Sequence, residues 1–261
     1  MSGTMRVKVL GQHELCKGIF KLELACPFAK EIRAGQFVNL YMDDGTHLLP
    51  RPISVCDVDA GAQTVTLVYR VVGFGTDYFS GLGERFAEEI RIFGPLGNGF
   101  PAEELLGERV MLVGGGLGIP PMLYLAKTLR AEGAEVQAVL GYRDEEFLLD
   151  DFQQTGAPVY TASDTGSIGT KGTVIDAIRQ NGLDCGVICA CGPMPMLRAL
   201  KEYALEQKVR LYVSLEERMA CGIGACLACV CESAGVDGHS FVHNKRVCKD
   251  GPVFNAGEVV L

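Results

Sequence analysis

Short apolar runs dominate the first hundred residues of the chain. They are rich in Val, Ile, Phe and Tyr, and Gly, Pro and Asp separate them. Close spacing of short β-prone runs is typical of antiparallel barrels and sandwiches. The pattern therefore predicts an antiparallel β-barrel domain over residues 1–100, with strands at 7–9, 19–24, 37–41, 53–55 and 64–72.

The pattern changes after residue 100. Apolar runs now alternate with segments whose apolar positions recur at helical spacing, which is typical of a parallel sheet wrapped by helices. Residues 101–213 are predicted to form a doubly wound α/β domain, and a cysteine-rich module follows at 214–261. The predicted strands are 110–116, 136–142, 158–163 and 187–192, and the predicted helices are 120–133, 173–181 and 195–208.

Charge and composition narrow the class of partner. The 261-residue chain carries a net charge of -8, has a pI near 5.1, and contains no Lys/Arg run that would neutralise phosphates. A nucleic-acid surface is therefore not expected. The longest uncharged run, 110–126, is interrupted by Gly and Pro, so no membrane span is expected either. The partners should be small molecules or another protein.

The cysteine content bears on location. The chain has eleven cysteines, and its N-terminal stretch MSGTMRVKVL lacks the apolar core of a secretory signal. Disulfides persist mainly in secreted proteins. We therefore expect a soluble cytoplasmic protein whose thiols are free or hold a metal.

Four cysteines crowd into the stretch CGIGACLACVC at 221–231. Cys221, Cys226 and Cys229 have the spacing C-x4-C-x2-C, and Cys248 follows after eighteen intervening residues. Plant-type ferredoxins hold a [2Fe-2S] cluster with this arrangement, so these four cysteines are the predicted metal ligands. Small residues between them let backbone N–H groups approach the cluster sulfides. These small residues are Gly222, Gly224, Ala225 and Ala228.

Two other uses of these thiols remain open. Four cysteines also hold structural zinc, usually as two close pairs, whereas here three cluster and one is distant. Alternatively, the cysteines are buried free thiols. Cys231 is interpreted as a spare thiol, because Cys248 fits the distant fourth position better.

A glycine-rich turn ends the first strand of the α/β half. The stretch VMLVGGGLGIPPM places Gly114, Gly115, Gly116 and Gly118 between a strand and a helix, where backbone donors can meet a pyrophosphate. The spacing departs from G-x-G-x-x-G, and a tight structural turn is the alternative.

A later strand, VICACGPMPM, ends in a second turn of this kind. In a doubly wound sheet, ligands bind at such strand ends, which makes Cys191, Gly192 and Met194 candidates for nucleotide binding. Cys191 is a candidate for positioning a nicotinamide ring; the alternative is a small buried thiol. For Met194, the alternative is that its side chain packs against the start of the following helix.

Two carboxylates, Asp144 and Glu145, follow the second strand of this half. Near an adenosine ribose they would repel a 2'-phosphate and accept hydrogen bonds from a free 2'-hydroxyl, which favours NAD over NADP. A solvated pair of loop charges is the alternative.

The barrel half contains two motifs that suit an anionic ligand. The motif RPIS at 51–54 begins a strand with an arginine able to bind a pyrophosphate, and GT at 75–76 starts a short helix whose backbone N–H groups point the same way. Taken alone, RPIS is equally typical of an ordinary strand start, and GT of an ordinary helix start.

Together with VYR at 68–70, GGGLGIPPM and CGPMPM, these motifs resemble the ferredoxin-reductase family, in which a flavin-binding β-barrel precedes a pyridine-nucleotide domain. With the cysteine tail, the whole chain is similar to the electron-transfer subunits of class 1B dihydroorotate dehydrogenase. The resemblance implies that FAD is bound by Arg51, Pro52, Ile53, Ser54, Val68, Tyr69, Arg70, Gly75 and Thr76. It implies that NAD, as a diffusible co-substrate, meets the two glycine turns described above.

The chain departs from the family pattern at one place. Many ferredoxin reductases carry an aromatic residue at the third position of the first motif, where it stacks on the isoalloxazine ring. Here that residue is Ile53, and Tyr69 is the expected replacement.

The resemblance also implies a partner: dihydroorotate is oxidised at the FMN of a separate catalytic subunit, and electrons pass through this chain's cluster and FAD to NAD+ during pyrimidine biosynthesis. A heterotetramer of two of each chain is implied. The chain itself shows no catalytic residue in the classical sense and no nucleophile-and-base motif. A subunit of an NAD(P)H-dependent ferredoxin or sulfur oxidoreductase is the alternative enzyme, and a zinc-stabilised binding protein is the alternative outside enzymes.

Charged residues flank the cysteine loop, among them Lys245 and Arg246. A cluster that passes electrons to another protein lies near the surface, so these charges are candidates for docking that partner. A solvated rim is the alternative.

Overall fold

A computed structural model of the chain describes residues 3–82, 89–143, 145–236 and 241–261. Its first part is a closed barrel with strand order β1-β2-β5-β4-β3-β6, and all the strand pairs are antiparallel. The barrel confirms the fold predicted for the first hundred residues. Its strands are β1 (Met5–Cys16), β2 (Ile19–Ala25), β3 (Phe37–Tyr41), β4 (Arg51–Asp59), β5 (Thr64–Arg70) and β6 (Glu89–Leu96).

Alternating side chains fill the barrel. Ile19, Leu22 and Leu24 of β2 are buried, as the two-residue period of a strand requires. The sequence pattern did not single out β6, whose outer positions are only partly covered, and it predicted a β1 of three residues. Helix α1 (Phe74–Ser80) lies between β5 and β6 and confirms the predicted short helix.

The second part is a sheet with strand order β10-β9-β8-β7-β11-β12-β15, parallel except for its last strand. Apolar side chains cover both faces of the sheet, so each parallel strand is an almost continuous buried run. The strands are β7 (Arg109–Gly115), β8 (Glu135–Tyr142), β9 (Val159–Ser163), β10 (Thr170–Lys171), β11 (Val187–Cys191) and β12 (Arg210–Ser214).

The helices of this part cover the sheet. Pro120 and Pro121 lie in the first turn of α3, where their missing N–H groups have no intrahelical partner to lose. None of the helices in the described part of the chain is both long and apolar enough to cross a membrane. The helices are α2 (Ala102–Leu105), α3 (Ile119–Ala131), α4 (Leu149–Gln154), α5 (Val174–Gln180) and α6 (Met194–Gln207).

The cysteine-rich tail is integrated into both parts. A short hairpin of β13 (Val230–Glu232) and β14 (Asn244–Arg246) follows the cysteine loop. The chain then returns as β15 (Val253–Asn255), which pairs antiparallel with β12 at the edge of the large sheet. Phe37 and Leu96 of the barrel belong to the same apolar cluster as the buried part of the tail. The tail therefore lies against the barrel and the sheet together.

Candidate functional site

A cleft of about 590 Å³ lies between the barrel and the sheet. Residues of β4, β5 and α1 form one wall, and the glycine turns after β7 and β11 form the other. The structure thus brings together candidates that are far apart in sequence. The candidates that line the cleft are Arg51, Pro52, Ile53, Ser54, Val68, Tyr69, Arg70, Thr76, Gly115, Gly116, Gly118 and Gly192. Gly75, Gly114, Cys191 and Met194 do not line the cleft, but each is next in sequence to a residue that does.

Arg51 is held at the rim of the cleft. Its Nη1 donates to the carbonyl of Leu49 at 2.8 Å, and its guanidinium lies across the start of α1. A Cβ on Gly75 would come within 2.4 Å of Arg51 Nε, so only glycine permits this approach. The geometry suits an arginine that presents its charge to an anion in the cleft.

Thr76 shapes the turn before α1. Its Oγ1 accepts hydrogen bonds from the backbone N–H of Val72 at 2.9 Å and of Gly73 at 3.3 Å, and donates to the Gly73 carbonyl at 3.0 Å. The hydroxyl is therefore used within its own turn, and Thr76 contributes to the cleft by holding that turn in place.

Tyr69 lies in the cleft wall, but its ring is packed within the barrel. Although it belongs to the cleft wall, it is only 1% exposed, and its ring packs against Phe20 and Phe79 in the barrel. Its hydroxyl donates to Gln12 Oε1 at 2.8 Å. Burial raises the pKa of Tyr69. Stacking of Tyr69 on a flavin stays a prediction, and in this structure its ring packs mainly inside the barrel.

The two glycine turns pack backbone against backbone. A Cβ on Gly118 would lie 2.0 Å from the carbonyl oxygen of Cys191, and one on Gly192 would lie 3.1 Å from the Gly115 nitrogen. A Cβ on Gly114 would lie 2.9 Å from the Cα of Ile119. These glycines are needed for close approach, and the paired turns form a wall of backbone groups.

The thiol of Cys191 is buried. Burial, and secondarily the charge of Glu216, raises the pKa of Cys191, while a hydrogen bond with Ser214 lowers it. The side chain of Met194 is half-buried and packs with the α6 face of the sheet. The two residues pack into different apolar clusters, one on each face of the sheet.

Sequence reasoning missed the part of the cleft that follows β12. Glu216 faces the cleft, yet protein on its other sides desolvates its carboxyl and raises its pKa. No local motif marks these residues, and the parallel pairing of β12 with β11 places the segment after β12 beside the second glycine turn. The lining residues from this segment are Leu215, Glu216, Glu217 and Met219.

Glu145, one of the two carboxylates predicted to lie near an adenosine ribose, makes a hydrogen bond within the chain. Glu145 Oε2 accepts a hydrogen bond from the Lys17 backbone N–H at 3.0 Å, across the junction of the two parts. Asp144 lies outside the described residues.

The four candidate cysteines of the tail come together as two pairs. Cys221 and Cys226 interact through their side chains, as do Cys229 and Cys248. A [2Fe-2S] cluster takes four cysteine thiolates, and these two pairs would supply them. Among the described residues, no three Cys, His, Asp or Glu side chains are placed to hold a single metal ion. Cys231 lies in β13 opposite Lys245.

Backbone donors face the cysteine sulfurs. The N–H of Gly224 donates to Cys248 Sγ at 3.1 Å, and the N–H of Cys248 donates to Cys229 Sγ at 3.4 Å. Desolvation opposes ionisation of Cys221, but hydrogen bonds from Ile223, Cys226 and Ala225 lower its pKa to about 6. Thiolates are the metal-binding form of cysteine, so these hydrogen bonds favour metal binding at Cys221. Burial and the neighbouring Cys229 instead raise the pKa of Cys248.

The charges beside the loop are paired within the chain. Lys245 Nζ lies 2.5 Å from Glu258 Oε2, and Arg246 binds Asp250. Several exposed side chains of the tail are apolar. They are Ile223, Leu227, Val230, Val236, Phe241 and Val242.

A barrel and a doubly wound sheet that share one cleft, with paired cysteines beside them, define a modular iron-sulfur reductase. Residues 216–260 match the family model of the iron-sulfur cluster binding domain of dihydroorotate dehydrogenase B. The dihydroorotate dehydrogenase B (NAD(+)) electron transfer subunit of Bacillus mycoides (strain KBAB4) is 44% identical over 259 residues, 97% of each chain. That of Geobacillus sp. (strain WCH70) is 44% identical over 261 residues, 98% of each chain.

Solved structures agree on the architecture. An NADH-dependent reduced ferredoxin-NADP oxidoreductase structure superposes with a TM-score of 0.84 at 30% identity, covering 100% of this chain and 91% of the other. Phthalate dioxygenase reductase superposes with a TM-score of 0.64 at 18% identity, covering 94% of each chain. The chain belongs to the family of dihydroorotate dehydrogenase B electron transfer subunits. It is an oxidoreductase subunit, and the family name implies a catalytic partner subunit.

Proposed function

We propose that this chain passes electrons from the FMN of a dihydroorotate-oxidising catalytic subunit, through its own [2Fe-2S] cluster and FAD, to NAD+. The observation that carries the proposal is the cleft shared by Arg51, Thr76 and the glycine turns, lying beside the paired cysteines. When bound, FAD exchanges two electrons with a nicotinamide and single electrons with a cluster, so it belongs between them.

The residues of the cleft suit these two ligands. Arg51 and the turn held by Thr76 would bind the pyrophosphate of FAD at the rim, and Ile53 and Ser54 would line its ring. Gly116, Gly118 and Gly192 form a wall of backbone groups without side chains. This wall would leave room for the nicotinamide nucleotide. The three sequence ranges 1–100, 101–213 and 214–261 correspond in this proposal to flavin, nucleotide and cluster binding.

The surface near the cysteines suits a protein partner. Cys226 is exposed, and Leu227 beside it is 60% exposed. The apolar side chains named above form the proposed docking face for the FMN subunit, because Lys245 and Arg246 are already paired within the chain. We place the complex in the cytoplasm as a heterotetramer of two of each chain, and none of the eleven cysteines forms a disulfide.

The first test is to isolate the chain from its host with whatever copurifies and to measure NAD+ reduction by dihydroorotate. The proposal predicts NADH formation together with bound FMN, FAD, iron and sulfide. A coloured complex that does not reduce NAD+ with dihydroorotate, but does reduce ferredoxin, would contradict the proposal. It would favour an activity like that of the ferredoxin-NADP oxidoreductase that is 30% identical. A colourless zinc protein would overturn both.

The ligand assignment has its own control. Cys226→Ser should abolish the visible absorbance of the cluster, whereas Cys231→Ser should retain it, because Cys231 lies in β13 and outside the two pairs. Loss of the cluster in Cys231→Ser with retention in Cys248→Ser would reassign the fourth ligand.

A further inference from the structure

An asparagine of the barrel contacts the loop that carries the cluster cysteines. In β3 the flanking side chains Val38 and Leu40 fill the barrel core, so Asn39 points to the outer face of the strand. Outer positions of a barrel normally meet solvent, yet Asn39 is 0% exposed. The cysteine loop covers it.

The contact is specific on both sides. Asn39 Nδ2 donates to the carbonyl oxygen of Cys221 at 3.4 Å. The next residue, Gly222, has a φ of +71°, and a Cβ there would lie 2.5 Å from Asn39 Nδ2. The loop can approach the amide this closely only because it carries glycine at this position.

The other half of the amide is unused. Asn39 Oδ1 is buried, and within the described residues it is the one such side-chain oxygen or nitrogen without a hydrogen-bond partner. Buried carbonyls are rarely left without a donor, so this oxygen is open to a donor from a water or a bound group. The amide thus makes its one hydrogen bond to the cysteine loop.

Asn39 is also adjacent to the cleft. It is the direct cross-strand neighbour of Pro52, which lines the cleft, so one residue connects the flavin wall with the first cluster ligand. Asn98 makes the matching contact on the other side: its Nδ2 donates to the carbonyls of Lys249 and Asp250, both at 3.1 Å, just after Cys248. Two barrel amides thus hold the two segments that carry the cysteines.

We propose that Asn39 is a positioning residue that fixes the first cluster ligand relative to the flavin and so sets the rate of electron transfer between the two cofactors. The transfer is tested in the direction opposite to that of the proposed function. NADH would give two electrons to the flavin as a hydride and leave as NAD+, and the reduced flavin would pass one electron to the cluster and keep the other. Asn39 would hold Cys221 in place during this transfer. This inference rests on the cofactor assignment of the proposed function.

The test uses the full chain isolated with its bound FAD and cluster, mixed anaerobically with NADH. Flavin bleaching and the paramagnetic signal of the reduced cluster are followed separately. Asn39→Leu, which keeps the size but removes the amide, should leave flavin reduction unchanged and slow cluster reduction, per loaded cluster, by about tenfold or more, since misplacement of reacting groups by an ångström is costly. An unchanged rate per loaded cluster would overturn the proposal, even if the cluster content falls.

A second variant approaches the contact from the loop and does not alter the barrel. Gly222→Ala should slow the same step, because its Cβ displaces the loop from the amide. Gly18→Ala is the matched control: Gly18 has a φ of +73° but has no atom within 4 Å of its Cβ position, so it tests backbone strain alone. Equal rates in the two glycine variants would contradict the proposal. If NADH reduces neither flavin nor cluster in the wild-type chain, the cofactor assignment itself is contradicted. The assay contains no dihydroorotate, so it does not depend on the catalytic subunit.

Discussion

Arg246 binds the carboxylate of Asp250 through two nitrogens: Nε lies 2.9 Å from Oδ2, and Nη2 lies 2.9 Å from Oδ1. Cys248 lies between these two residues in sequence. The same guanidinium donates through Nη1 to the Gly224 carbonyl at 3.4 Å. One side chain therefore joins the returning segment to the cysteine loop.

Replacing Arg246 with lysine should loosen the cluster site while keeping the charge. A lysine cannot bind a carboxylate through two parallel donors. Because the pair is partly exposed, we expect a loss of about 1 kcal/mol, or roughly fivefold faster loss of the cluster. The rate of cluster loss is measured as the iron and sulfide content per chain over time. The FAD content should stay unchanged. Arg179→Lys, in the exposed pair with Glu206, is the control. Equal cluster lifetimes in the two variants would show that the pairing is incidental.

Gly118→Ala should separate the two glycine turns. Its Cβ would meet the Cys191 carbonyl at 2.0 Å, and because that neighbour is backbone it cannot rotate away. Overpacking of this kind costs about 1–3 kcal/mol of unfolding free energy. We expect slower flavin reduction by NADH with FAD still bound. Gly11→Ala, which has open space at its Cβ position, should match the wild type. Wild-type kinetics in Gly118→Ala would mean that the contact between the turns is not needed.

Tyr69→Phe should affect the barrel and not the flavin. The change removes the hydroxyl that donates to Gln12 Oε1 and leaves a partly buried acceptor without its partner. The expected loss of unfolding free energy is about 1–3 kcal/mol. Urea denaturation measures that loss, and the visible spectrum of bound FAD should stay the same. A shifted flavin spectrum with undiminished stability would place the tyrosine at the flavin instead.

Glu216 should make stability depend on pH. Its pKa is raised by desolvation above the ordinary value of 4.5, so the folded chain binds this proton more tightly than the unfolded chain does. The stabilisation is present below that value and is lost as pH rises through the folded pKa. Since the side chain faces the open cleft, the effect should stay below about 1 kcal/mol.

The comparison that tests this is thermal unfolding of the wild type and Glu216→Gln, from about pH 4 to neutrality. The wild type should lose stability relative to the variant as pH rises. Parallel curves would mean that the carboxyl titrates as it does in the unfolded chain.

Much of the fold was predictable because its signals are local. Two-residue alternation in β2, the proline-rich start of α3 and the alternation of strands and helices each depend on neighbours in sequence. Strand β6 was missed because half of its positions are only partly covered, which weakens the pattern. The spacing of the cysteines is likewise a local property, and so are the glycines that a tight approach requires.

Contacts between distant segments were decided by the tertiary structure alone. Which way Tyr69 points depends on Gln12 and Phe79, and the charges of Lys245 and Arg246 are neutralised by Glu258 and Asp250. Glu216 lines the cleft because β12 ends beside β11, whose last turn also lines it. The sequence by itself determined which elements form and which chemistry they carry, since these depend on local spacing. Their meeting at one cleft depended on packing and strand register between segments up to two hundred residues apart, which no local pattern encodes.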